Sequence, residues 1–196
     1  MNTIRGQIAF VIVVGVCSVS HVPAFAQSNT ARERDEWHSS QAAVRAYVAV
    51  RETDDDVLGA PNLQIATAYR PLIAAMLMRS PTFRRQYARL ARSPLVSIVI
   101  RADMPAGRRV PALTEMSARG GRVEALVHVT PSTRSVELIS HELEHIIEQL
   151  DGVNLRAKSR LRASGVRLTA DADTFETRRA VLTGERVARE VLDGTH

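Results

Sequence analysis

The chain has 196 residues, a formal charge of +5 and one cysteine, enough length for one domain with a real core and too few thiols for a disulfide scaffold. All of its 26 basic residues except Lys158 are arginines, scattered among acids with few aromatic rings beside them to stack bases. That pattern speaks against a nucleic-acid partner, and the arginine bias reads as composition rather than as a binding patch.

Residues 1–26 read as a signal peptide. Arg5 supplies the positive start, residues 8–19 an apolar stretch, and Ala24-Phe25-Ala26 the small-x-small pattern at which a leader is cut. About a dozen apolar residues are too few for a hydrocarbon core, which takes about 20. The expected location is secreted or periplasmic, with no stable membrane association once the leader is gone. Cys17 lies in the leader. The remaining 27–196 would form a single cysteine-free domain, whose metal sites must use His, Asp or Glu.

Helix formers around Trp37, Val44, Tyr47 and Val48 predict a helix over 31–52, and Asp54-Asp55-Asp56 with Gly59 and Pro61 a solvated loop over 53–62. Pro71 and Pro81 suit first helical positions, and Ser80 suits an N-cap, so helices are expected over 71–79 and 81–92. Val96, Ile98 and Val99 mark a strand over 95–100. Pro105, Gly107, Pro111 and Gly120-Gly121 predict a long loop over 102–121, and a second strand follows at 123–129. Helices are then expected over 135–150, closed by Asp151-Gly152, over 154–163, and from Asp173 to about Leu192. Helices, two strands and more helices make an α+β domain with a small, mostly antiparallel sheet, otherwise largely helical.

The helix over 135–150 carries the chemistry. At 100° per residue, Val136, Ile139, Leu143, Ile146, Ile147 and Leu150 share one side, and His141 and His145 stand one turn apart on the other with Glu142 beside them. Two imidazoles at i and i+4 can grip one ion. A glutamate next to the first can reach a water held there without being a ligand.

His141-Glu142-Leu143-Glu144-His145 is an H-E-x-x-H segment, and by it the chain resembles the zincin metallopeptidases. The resemblance implies a zincin-like fold, with a small sheet packed on the active-site helix and an edge strand that holds extended substrate; residues 123–129 match that strand by order and spacing. It also implies one zinc ion per chain, held by His141 and His145, and Glu142 as general base. Residues 149–154 contain no histidine, so the metzincin extension is absent and the gluzincin pattern remains, in which a glutamate on a later helix is the third ligand. Glu176 is the candidate, at the start of the last helix. Its neighbourhood lacks the fuller Asn-Glu-x-x-Ser-Asp form of the thermolysin group, and Asp173 with Glu176 also has capping-box spacing. Asp171 and Asp173 are the next candidates. His128, Tyr47, Tyr69 and Tyr87 are possible oxyanion donors, none of them assigned.

The expected function is hydrolysis of a peptide or protein substrate through zinc-activated water. The alternatives are an exported zinc- or peptide-binding protein that hydrolyses nothing, and a metal-free helical interaction protein.

Overall fold

The computed structural model describes residues 12–15, 58–168 and 174–194. The leader boundary at Ala26, the helix expected over 31–52 with Tyr47, the acidic triplet at 54–56, and Asp171 and Asp173 lie outside the described residues.

Five described strands form the main sheet: β1 (Ile12–Gly15), β2 (Leu63–Ile65), β3 (Val96–Arg101), β4 (Ala112–Arg119) and β5 (Arg122–Val129), in the order β1-β4-β5-β3-β2. β2, β3 and β5 run parallel, while β4 is antiparallel to both β5 and β1. The domain is α+β as expected, but the sheet is mixed rather than mostly antiparallel. The parallel pairs join segments that are not consecutive strands, β2 and β3 being separated by two helices and β3 and β5 by β4, a non-local pairing that alternation within one strand does not reveal.

The expected loop over 102–121 holds the largest departure, because β4 fills its second half. Ala112, Thr114 and Met116 are its inward, buried positions, an alternation with none of the valine, isoleucine or aromatic residues that announce a strand. Gly120 and Gly121 have φ of +58° and +79° and close a two-residue hairpin between Arg119 and Arg122. That positive-φ pair is the turn whose twist matches a hairpin. Consequently β5 (residues 122–129) is an interior strand and not the edge; β4 lies outside it, and β1 pairs with the outer side of β4.

Helices α1 (Arg70–Arg79), α2 (Pro81–Ala91), α3 (Ser135–Leu150) and α5 (Arg178–Asp193) contribute to one core with the sheet; α4 (Leu155–Ser159) is a single turn, shorter than the helix expected over 154–163. Ser80 caps α2 as expected, its hydroxyl accepting from Phe83 N at 2.9 Å. Ile98, Ile100 and Val127 from the sheet meet Leu138, Ile139, Leu143 and Ile146 from α3 and Val187 from α5. Each such aliphatic side chain contributes about 1.5–3 kcal/mol on burial. This packing seats α3 against the sheet and α5.

α3 is buried on nearly every side, because the sheet covers one flank and α5 another. Its histidine face, which the apolar stripe leaves free, is therefore interior too. A second, two-stranded sheet of β6 (Val166–Leu168) and antiparallel β7 (Phe175–Thr177) leads into α5. Backbone contacts run from β1 to both β4 and β7, so β1 lies between the strand beside α3 and the strand that precedes α5.

Candidate metal centre

His141 and His145 project from successive turns of α3, with ring centroids 4.9 Å apart and planes at 73°. Their Nε2 atoms face each other at 3.1 Å. Glu176 Oε1 lies 3.2 Å from His141 Nε2 and 3.8 Å from His145 Nε2. A tetrahedral ion bound at about 2.0–2.1 Å would space its ligand atoms about 3.3–3.4 Å apart. The three observed separations bracket that value, and all three residues are buried. His141, His145 and Glu176 can hold a metal ion.

Glu176 joins the cluster from a different element than expected. It is the middle residue of β7, two residues before α5 begins, not a first-turn residue of the last helix. Thr177 is the N-cap of α5, its hydroxyl accepting from Ala180 N at 3.0 Å. Capping falls to Thr177, which leaves the Glu176 carboxylate free to turn toward α3. It also accepts from Thr177 N at 2.8 Å.

Glu142 is fully buried next to the histidines. Thr114 of β4 donates to its Oε2 at 2.6 Å, and its Oε1 has no partner among the described residues. Burial pushes this carboxyl above the ordinary range; the charges of His141 and His145 and the Thr114 bond offset that only in part. An orphaned buried carboxylate oxygen is costly and marks a place where a ligand is missing or a proton is handled. Thr114 was not foreseen, because it reaches Glu142 only through the unrecognised strand.

Burial would lower the affinity of His141 for a proton, yet its hydrogen bond to Glu176 and the charges of Glu142, Glu176 and Glu137 outweigh it, so its pKa rises. Burial would raise Glu176, and again the His141 hydrogen bond and the two histidine charges win, holding it below the ordinary value. These opposite shifts describe an imidazole and a carboxylate that share a proton when no cation lies between them. A cation of charge two would replace that proton.

Glu148, one turn beyond the motif, was also missed. Its Oε2 lies 3.1 Å from His145 Nδ1 and accepts from the Thr177 hydroxyl at 3.0 Å. Glu144 of the same helix accepts from Gln86 Nε2 at 2.7 Å and from Arg179 Nε at 2.6 Å, tying α3 to α2 and α5.

The described oxyanion candidates do not join the cluster. The Tyr69 hydroxyl donates to Val129 O at 2.8 Å, the Tyr87 hydroxyl to Leu58 O at 3.2 Å, and His128 Nδ1 meets Asp103 Oδ1 at 2.9 Å. Each hydroxyl has a structural partner elsewhere, and His128 lies on β5 facing away from the core side of that strand.

No family model matches the chain, and no curated protein or solved structure is significantly similar to it.

Proposed function

We propose that the chain is an exported, zincin-like zinc peptidase. The observation that carries this reading is the fully buried Glu142 Oε1, without a partner among the described residues, beside the His141, His145 and Glu176 cluster. A purely structural metal site has no use for a buried carboxylate that is not a ligand. Nitrogen and oxygen donors with near-tetrahedral spacing suit zinc, and the cluster leaves a coordination position open. When bound, zinc supplies a Lewis acid that polarises the scissile carbonyl and makes water a nucleophile near neutral pH.

The protein's own groups do the rest. Thr114 fixes one oxygen of Glu142, so the other points in a set direction. Glu142 Oε1 then accepts the proton of the attacking water and delivers it to the leaving amine nitrogen.

The edge of β4 supports a peptide as the substrate. Ile12 to Gly15 already pair with it antiparallel, Val14 opposite Thr114. Thr114 is also the residue that holds Glu142, so an extended backbone on that edge passes the proposed base. Adding a strand to a free edge is a general way to bind peptides.

One observation favours a protein that binds metal and hydrolyses nothing: His141, Glu142 and His145 are at most 3% exposed. The purified chain, assayed for metal content and for cleavage of a peptide mixture, separates the readings. One zinc per chain with hydrolysis, lost by about 10²–10⁴-fold in Glu142→Gln while zinc stays, is the expected result. Zinc without any cleavage by the unaltered chain sinks the peptidase and leaves the binding protein.

A further inference from the structure

We propose that Glu148 is a positioning residue for the metal centre, acting through His145 and Thr177. The proposal rests on the metal-binding reading given above and adds how the two halves of that centre are held in register.

Glu148 sits three residues after His145 on α3 and is 4% exposed. One of its oxygens, Oε2, meets both His145 Nδ1 and the Thr177 hydroxyl. A carboxylate accepts only, so Nδ1 carries the imidazole proton and the lone pair is left on Nε2. Nε2 is the atom that faces His141 Nε2 and Glu176 Oε1. Glu148 thereby selects the tautomer that a cation needs and fixes the plane of the ring.

The second contact reaches the other half of the centre. Thr177 follows Glu176 directly. Its hydroxyl donates to Glu148 and accepts from Ala180 N, while its backbone N–H donates to Glu176 Oε1 at 2.8 Å. One carboxylate oxygen on α3 thus orients a histidine on its own helix and anchors the residue that orients the glutamate on β7. A buried carboxylate that served only to join α3 to α5 would not need His145. Groups that orient metal ligands in this way commonly change metal affinity by about 10–100-fold when removed.

The test measures cobalt(II) and zinc affinity by chelator competition in the full chain and in Glu148→Ala, Glu148→Gln and Thr177→Val, with thermal unfolding of each metal-free protein alongside. Glu148→Ala should weaken metal binding about 10–100-fold and alter the visible band of the cobalt form. Glu148→Gln, which keeps an acceptor without the charge, should recover part of the affinity. Should Glu148→Ala fail to fold, Glu148→Gln and Thr177→Val carry the test, each expected to weaken binding. Wild-type affinity in these variants, with only the unfolding midpoint lowered, makes Glu148 merely structural and overturns the proposal while the metal centre stands. An unaltered chain that binds neither ion overturns the metal reading itself, and this proposal with it.

Discussion

Gly184 of α5 lies so close to α3 that a Cβ on it would come within 2.8 Å of the carbonyl oxygen of Glu137 and 3.2 Å of the His141 Cβ. Glycine is a poor helix residue, and alanine would favour an isolated helix by about 1 kcal/mol. Here the missing Cβ is what lets α5 approach the helix that carries both histidines.

Gly184→Ala should therefore destabilise the protein despite its better helix propensity, by about 1–3 kcal/mol as for other overpacked interiors. The backbone carbonyl cannot rotate aside, so α5 must move, and β7 with it. Metal affinity should fall together with the thermal midpoint. A stabilised variant with full metal content would show that the two helices are free to separate without cost to the centre.

Glu176 should behave as a ligand and not as a cap. Glu176→Ala is expected to lose most bound metal, as are His141→Ala and His145→Ala, whereas Thr177, already the cap, stays in place. Glu176→Asp draws the carboxylate back by one methylene and should also bind weakly. Elemental analysis of the purified variants decides, and full occupancy in both Glu176 variants would remove the residue from the ligand set.

Asp151 should make part of the stability depend on pH. Hydrogen bonds from Arg89 and then Arg179 hold its carboxyl below the ordinary value. A carboxyl depressed in the folded state contributes fully above its unfolded pKa, near 3.8, and loses that contribution as the pH falls through the folded value. Both arginines are more than 40% exposed, so each pair is worth about 0.2–1 kcal/mol at most. Asp151→Asn should thus unfold at a lower temperature than the unaltered chain at pH 7, and the gap should begin to narrow only as the pH falls below about 4. A gap that persists unchanged at pH 3 would assign the loss to packing.

The leader prediction now has a structural readout. Mass spectrometry of exported protein should find a chain that starts at Gln27, and that chain lacks β1. The amides of β4 should then exchange with solvent faster than in the full chain, and the proposed peptide hydrolysis should be faster as well. Equal exchange in the two forms would mean that residues 12–15 do not cover the edge of β4 in solution.

Much of the centre was legible because its signals are local. The helical period over Ser135–Leu150 and the i, i+4 histidines are properties of one segment, and so is the Ser80 cap of α2. Glu176 was found by residue type and distance along the chain, although its element was misread: the capping signal came from Asp173, while Thr177 does the capping in the folded chain. Thr114 was invisible for another reason. A threonine between Leu113 and Glu115 acquires meaning only when β4 pairs with β5 and turns it toward α3, where its partner Glu142 lies 28 residues further along the chain. The same holds for the parallel pairing of β2, β3 and β5, which the assembled core dictates.

Residues 145 and 176 lie on either side of α4 and β6, so an ion gripped by His145 and Glu176 would be a removable cross-link across that whole segment. Closing a loop of about thirty residues withdraws about 3–4 kcal/mol of entropy from the unfolded chain, comparable to a disulfide, in a protein whose lone cysteine cannot form one within the chain. The cross-link also has an order of assembly. Until α5 has docked and swung Glu176 toward α3, only the two histidines are in place, and the grip is incomplete. A nascent chain would thus carry half a centre, and the capacity to hold an ion firmly would arrive with the last helix.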